Sequence, residues 1–301
     1  MRTFRRIKSH NLRPHLHLSQ SLTNAARCVT MSANTAKQPA TAKNAKDSHK
    51  PAVEKKELKI LMLHGYAQTG PLFRSKTGAM SKLMAKALPD VNASRIYPTG
   101  PQKLQPSDIP GFQPRDGAEG EEAPETFGWF YHDEEAGPYR GFDVGMRAVA
   151  DAIEDAGGVD GVLAFSQGAA VAALVAAAME PDRALPEDPA QRAWVLRLRE
   201  ANGGRPLRFC ILYSGFVARP GAGLGWLYEG RIKTPSCHFF GSLDTVVAEE
   251  RCRALADHFV DPEAFVHPGG HHVPVRKEWV APLTGFLKHV LEKEAAATAT
   301  S

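Results

Sequence analysis

From Leu58 to Leu291, short apolar runs alternate with longer stretches in which apolar positions recur every three or four residues. Strands buried on both faces of a parallel sheet read as nearly unbroken apolar runs, and the helices covering them as amphipathic stretches. Leu58 to Leu63 predicts the first such strand, followed by His64-Gly65 and a helix from about Phe73 to Leu88, which Pro89 ends. A strand at Ser94 to Tyr97, a Pro- and Gly-rich loop from Pro98 to about Glu125, and a helix from Phe142 to Asp155 follow. The third strand is Gly161 to Phe165, and a helix runs from Gln167 to about Met179. Further strands are read at Leu207–Tyr213, Ser236–Phe240 and Ala264–Val266, with a helix starting near Ala248 and a last one at Val280–Leu291. The order predicts an α/β fold, a mostly parallel central sheet with helices on both faces.

Two insertions break the rhythm: the Pro98 to Glu125 loop, and Pro181 to Arg205 with a short helical stretch around Trp194 to Leu198. Ligands of open parallel sheets bind beyond the carboxyl ends of the strands, so such loops either shape a pocket or decorate the surface.

Composition narrows the class. A chain of 301 residues with 43% hydrophobic content suits one large domain or two small ones. No run reaches the roughly 18 apolar residues that a membrane-spanning helix needs. The net charge of +4 is unevenly spread: residues 1 to 50 hold five Arg and five Lys against Asp47 alone, whereas the remainder has 27 basic and 32 acidic residues. The basic character thus belongs to the leader, and composition gives the folded part no nucleic-acid footprint. The organisation expected is a basic leader and linker at 1–56, a domain at 57–293 and a flexible tail at 294–301. The Arg- and Ser-rich start is compatible with a mitochondrial presequence or a disordered tail, and Met31 is an alternative effective start. Cys28, Cys210, Cys237 and Cys252 form no CxxC pair and read as reduced, buried thiols.

The segment that carries chemistry is Asp160 to Ala173, DGVLAFSQGAAVAA, where an apolar strand runs into Ser166 and then into a Gly- and Ala-rich helix. A nucleophile elbow requires this context, a strand, a sharp turn and a helix, with small residues two before and two after the serine. Ala164 and Gly168 meet that need, Ala164 standing where Gly is usual. A serine hydroxyl is a poor nucleophile without a base, so a later acid and histidine are required, each in a loop after a strand. HFFGSLDTVV supplies Asp244, whose alternative role is a helix cap. AFVHPGGHHVP supplies His267, His271 and His272, of which His271 directly follows the Gly pair. A metal site is disfavoured, because adjacent histidines seldom bind one ion and no carboxylate or Cys stands at ligand spacing.

Taken in order, ILMLHGYAQTG, Tyr97 to Pro101, GWFYHD, GVLAFSQGAA, LYSGF, FGSLDTVV and HPGGHHVP resemble the fungal FSH serine hydrolases and their animal relatives. These are small α/β-hydrolases acting as esterases or thioesterases. The resemblance covers about Lys59 to Leu291. It implies the α/β-hydrolase fold and a catalytic triad of Ser166, Asp244 and His271, and it decides between the histidines. The charged insertion and the basic leader depart from the family pattern.

The function expected is cleavage of a carboxylic ester or thioester through an acyl-enzyme. A catalytically silent binding protein and an acyltransferase are the alternatives. The backbone N–H groups of Tyr66 and Gln167 are the candidate oxyanion donors, and His64 is read as shaping its loop. Trp129, Phe130 and Phe216 are candidates, with Tyr66, for an apolar acyl pocket. No cofactor motif is present, so none is expected, and no metal. The expected partner is a small ester or thioester, without nucleic acid or a membrane span, in an unassigned oligomeric state. Lack of a secretory signal and of a disulfide framework suggests an intracellular place: cytoplasm, nucleus as well, or mitochondrion.

Overall fold

The computed structural model describes residues 55–109, 125–132 and 137–299. Residues 1–54, with Cys28 and the targeting reading, and residues 110–124, 133–136 and 300–301 lie outside the described residues. The elements are β1 (Lys56–Leu63), α1 (Gly70–Ala87), β2 (Val91–Ile96), β3 (Gln102–Lys103), β4 (Phe127–Gly128), α2 (Phe142–Asp155), β5 (Gly161–Phe165), α3 (Gln167–Met179), α4 (Pro189–Ala201), β6 (Phe209–Tyr213), β7 (Ser236–Gly241), α5 (Glu249–Ala256), β8 (Glu263–His267) and α6 (Lys277–Ala299).

Six strands form one parallel sheet, as the alternating pattern predicts, and their order is β2-β1-β5-β6-β7-β8. Side chains alternate across the pleat, so each strand feeds two cores. Leu61, Leu63, Val162, Ala164, Cys210 and Leu212 belong to the core shared with α2, α3 and α4. Leu58, Ile60, Met62, Leu163, Ile211 and Tyr213 belong to the one shared with α1 and α6. The order reverses at β1, which has β2 on one side and β5 on the other. The crevice at such a switch point is where open α/β sheets bind ligands. Both Gly65, just past β1, and Ser166, just past β5, stand at that edge.

The insertions differ from expectation. The second carries a 13-residue helix, α4, longer at both ends than the stretch expected around Trp194 to Leu198. Asp188 caps it, its side chain accepting from Gln191 N at 2.8 Å, and Pro189 occupies the first turn, where its missing N–H costs nothing. Trp194, Val195, Leu198 and Ala201 line one face and are buried. That face covers α3, which is buried along its whole length. A helix apolar all round must be covered on every side, and Ala-rich α3 is small enough to pack closely between the sheet, α4 and the Gly225–Tyr228 turn. The first insertion supplies β3, which pairs antiparallel with β4.

The last helix also runs past its expected end at Leu291 to Ala299, so residues 294–299 are helical where a flexible tail is expected. Alanine favours helix here, and Arg208 ties the turn down by binding both Glu294 and Asp160. Cys210, Cys237 and Cys252 are free and buried, and burial pushes each thiol's pKa up. No helix of the described residues is long and apolar enough to cross a membrane.

Candidate active site

The end of β5 makes a turn at Ser166 with φ 55° and ψ −118°, a backbone conformation that residues other than glycine rarely adopt. It holds because both sides are pinned: Ser166 N donates to Tyr213 O at 2.8 Å, and Ala169 and Ala170 return N–H bonds to Ser166 O. Gly168 is required two residues on. A Cβ there would stand 2.4 Å from Leu63 O and 2.5 Å from His64 O, so only glycine lets α3 start against the end of β1. At Gly65 an added Cβ would come within 2.9 Å of the Phe165 ring and 3.3 Å of Ser166 Cβ, which puts the β1 loop directly beside the serine.

Loops after three strands bring Ser166, His271 and Asp244 into one hydrogen-bonded row. His271 Nε2 is 2.9 Å from Ser166 Oγ, and His271 Nδ1 is 2.7 Å from Asp244 Oδ2. An ionised carboxylate only accepts, so Nδ1 carries the proton and Nε2 is left to accept from the Ser166 hydroxyl. Phe165 backs the imidazole, with ring centroids 4.7 Å apart. His267 and His272 are elsewhere: the His267 ring packs against His272 and Trp279. Among the described residues, no three His, Cys, Asp or Glu side chains are grouped to hold a metal ion.

Asp244 is saturated with donors. Oδ1 accepts from Val246 N and Val247 N, both at 2.9 Å, and Oδ2 from Ser214 Oγ at 2.9 Å as well as from His271. Burial works against its charge, but the Val247 N–H, His271 and Ser214 outweigh it and hold the carboxyl below its ordinary pKa. Asp244 does not cap α5, whose N-cap is Ala248; its Oδ1 instead holds the loop N–H groups of Val246 and Val247, while Oδ2 binds His271. Ser214 is a functional residue that the sequence pattern does not single out, although LYSGF offers a serine just past a strand and in front of a glycine.

His64 is fully buried between two backbone groups. Its Nδ1 donates to Gly65 O and its Nε2 accepts from Gly100 N, each at 2.8 Å. Burial lowers its pKa to about 4, so the ring is neutral and serves to shape the loop. Tyr66, next on that loop, donates its hydroxyl hydrogen to Asp108 O at 2.8 Å. Gln167 is the first residue of α3, where the backbone N–H has no acceptor within the helix.

The aromatic residues expected to line an acyl pocket do not do so alike. Trp129 has no exposed surface and Phe130 only 2%, so the expectation is corrected for these two. Trp129 is bonded into the core, its Nε1 donating to His64 O at 2.8 Å, and Phe130 stacks on Tyr139 at 4.2 Å. Both are large apolar groups behind the sheet edge, where packing gains more than exposure to a cleft. Phe216 is half-buried, packs against Phe240, Val247 and Cys252, and lies under Arg251.

Parallel sheet, switch-point crevice and strained serine define an α/β-hydrolase. The chain belongs to the family described as Serine hydrolase (FSH1), whose pattern matches residues 53–283, and it is a hydrolase enzyme. Over 250 residues it is 31% identical to the Danio rerio protein named Esterase OVCA2, covering 77% of this chain and 96% of that one. It is 28% identical over 243 residues, 79% of this chain, to a Schizosaccharomyces pombe protein named dihydrofolate reductase. There the chain spans about half of the relative's length, 49%. The solved structure of Arabidopsis thaliana SOBER1 shares the fold, with a TM-score of 0.52 at 19% identity over 78% of this chain and 99% of that one.

Proposed function

We propose that the protein cleaves carboxylic esters or thioesters through an acyl-enzyme formed on Ser166. The observation that carries this reading is the row Ser166 Oγ, His271 Nε2, His271 Nδ1, Asp244 Oδ2, with links of 2.9 and 2.7 Å, at a serine lifted out of the sheet by its φ of 55°. His271 takes the Ser166 proton as the oxygen attacks the carbonyl carbon, then delivers it to the departing alcohol or thiol. A water molecule, deprotonated by the same imidazole, then attacks the acyl carbon, and the imidazolium returns that proton to Ser166 Oγ as the acyl–oxygen bond breaks and the acid leaves. Asp244 keeps Nδ1 protonated and stabilises the imidazolium. The negative oxygen of each tetrahedral intermediate lies against the N–H groups of Gln167 and Tyr66, each such donor being worth roughly 2.7–4 kcal/mol.

The test is covalent labelling with a fluorophosphonate, followed by peptide mapping, alongside hydrolysis of p-nitrophenyl esters from acetate to palmitate with and without an added acyl acceptor. Labelling at Ser166, its loss in Ser166→Ala, and acid rather than transferred acyl product are expected. A folded protein that takes no label at Ser166 refutes the reading.

A further inference from the structure

Trp129 hydrogen-bonds to both sides of the site at once. Its indole Nε1 donates to His64 O at 2.8 Å, and its backbone N donates to Gln167 Oε1 at 2.7 Å. His64 immediately precedes Gly65-Tyr66, the loop carrying one proposed oxyanion donor; Gln167 carries the other on its own backbone. Two further bonds close the frame: Gln167 Nε2 donates to Phe130 O at 2.8 Å, and His64 Nε2 accepts from Gly100 N. Trp129 is itself fixed, because Gly145 of α2 lies so close that a Cβ there would meet Trp129 O at 2.1 Å. Every member is buried: Trp129 and His64 at 0% exposure, Gln167 at 4%.

We propose that Trp129 and the Gln167 carboxamide form a brace that fixes the separation of the Tyr66 and Gln167 N–H groups, so that both side chains are positioning residues for the reaction. The inference rests on the reading of those N–H groups as the oxyanion donors. Stabilisation of a developing oxyanion depends on donors being in place beforehand, and a loop and a helix start supplied by different strands have no covalent reason to keep register. The chemistry demanded of residue 167 is specific. One end faces a donor, Trp129 N, and the other an acceptor, Phe130 O, and a carboxamide satisfies both. A carboxylate would set an oxygen against the Phe130 carbonyl, and an apolar chain would leave two buried groups unpaired.

Trp129→Phe removes the indole bond to His64, and Gln167→Met removes both side-chain bonds while keeping the backbone donor. Steady-state hydrolysis of p-nitrophenyl butyrate is measured beside inhibition by an alkyl trifluoromethyl ketone, which forms a tetrahedral adduct, and by the matching alcohol, which does not. Displacing a donor should cost less than deleting it, so each variant is expected to lower kcat roughly 10- to 100-fold with KM within about twofold. Ketone affinity should fall by the same factor and alcohol affinity stay unchanged, a split that general loosening of the core does not produce. Wild-type kcat and ketone affinity in both variants, with Ser166→Ala inert, overturn this inference alone. Turnover by Ser166→Ala overturns the reading of the site and this inference with it. Loss of cooperative thermal unfolding in both variants also overturns it, because the bonds then hold the core together rather than aim the donors.

Discussion

Replacing Asp244 by asparagine forces a choice on a group whose two oxygens have different partners. Turned with its nitrogen towards Val246 N and Val247 N, the amide opposes two backbone donors that now bond Oδ1 at 2.9 Å. Each unmade bond costs about 1–3 kcal/mol, so this orientation costs roughly 2–6 kcal/mol. Turned the other way, the nitrogen faces Ser214 Oγ and His271 Nδ1. The Ser214 hydroxyl can rotate and accept, and the imidazole accepts by moving its proton to Nε2. That second orientation is favoured by at least about 2 kcal/mol, roughly 30-fold in population. An Nε2 that carries the hydrogen cannot take the Ser166 proton. We expect kcat for p-nitrophenyl butyrate at pH 7.5 to fall at least about 30-fold and, at the upper end of that preference, about 10⁴-fold, the loss seen when a serine protease is given the wrong tautomer in this way. The assay is steady-state hydrolysis corrected by active-site titration, with a thermal melt to establish that the variant is folded. A folded Asp244→Asn protein retaining more than about a tenth of wild-type kcat refutes the argument that Asp244 sets the tautomer.

Gly168→Ala should destabilise the fold by about 2–3 kcal/mol, because the backbone oxygens it would meet cannot swing away, and this outweighs the ~1 kcal/mol helix preference of alanine; urea unfolding measures it, and an unchanged midpoint contradicts the close approach. His64 has a folded pKa near 4 against an ordinary 6.5, so the unfolded chain binds more protons between those values. Its contribution is fully present above pH 6.5 and is lost as pH falls towards 4, up to about 3 kcal/mol. Buried His238, lowered to about 3, acts in the same direction. Unfolding free energy measured from pH 7 to 4.5 should therefore fall, and His64→Gln should flatten the slope by close to one proton near pH 5; equal slopes in the two proteins contradict a neutral, buried His64.

Much of the fold is legible in the chain because its signals are local. Nearly continuous apolar runs mark β1, β5, β6 and β7, and Pro89 and Gly168 punctuate their helices. The bounds of α2, β5 and α3 agree with the pattern to the residue. The pattern shows only Trp194–Leu198 of α4 although Asp188-Pro189 signals its start, since the charged residues interleaved with Trp194 and Leu198 hide its apolar face. The extension of α6 to Ala299 follows a local alanine preference but is also anchored by Arg208, 86 residues before Glu294, and no local pattern carries a bond of that span.

The same division holds at the site. By itself the sequence determined that a serine stands at a strand-to-helix turn between small residues, with an aspartate and histidines in later loops, because backbone sterics at a tight turn act over a few neighbours. It left His267, His271 and His272 open on their own residues, and it offered Trp129 and Phe130 to a pocket. Only the tertiary structure decided that His271 meets both Ser166 and Asp244, that Ser214 supplies another donor to Asp244, and that Trp129 is a buried tie between two loops. Those outcomes depend on which strand ends the parallel order β2-β1-β5-β6-β7-β8 sets side by side. Hydrogen bonds reach about 3 Å, so partners far apart in sequence are chosen by the register of the sheet.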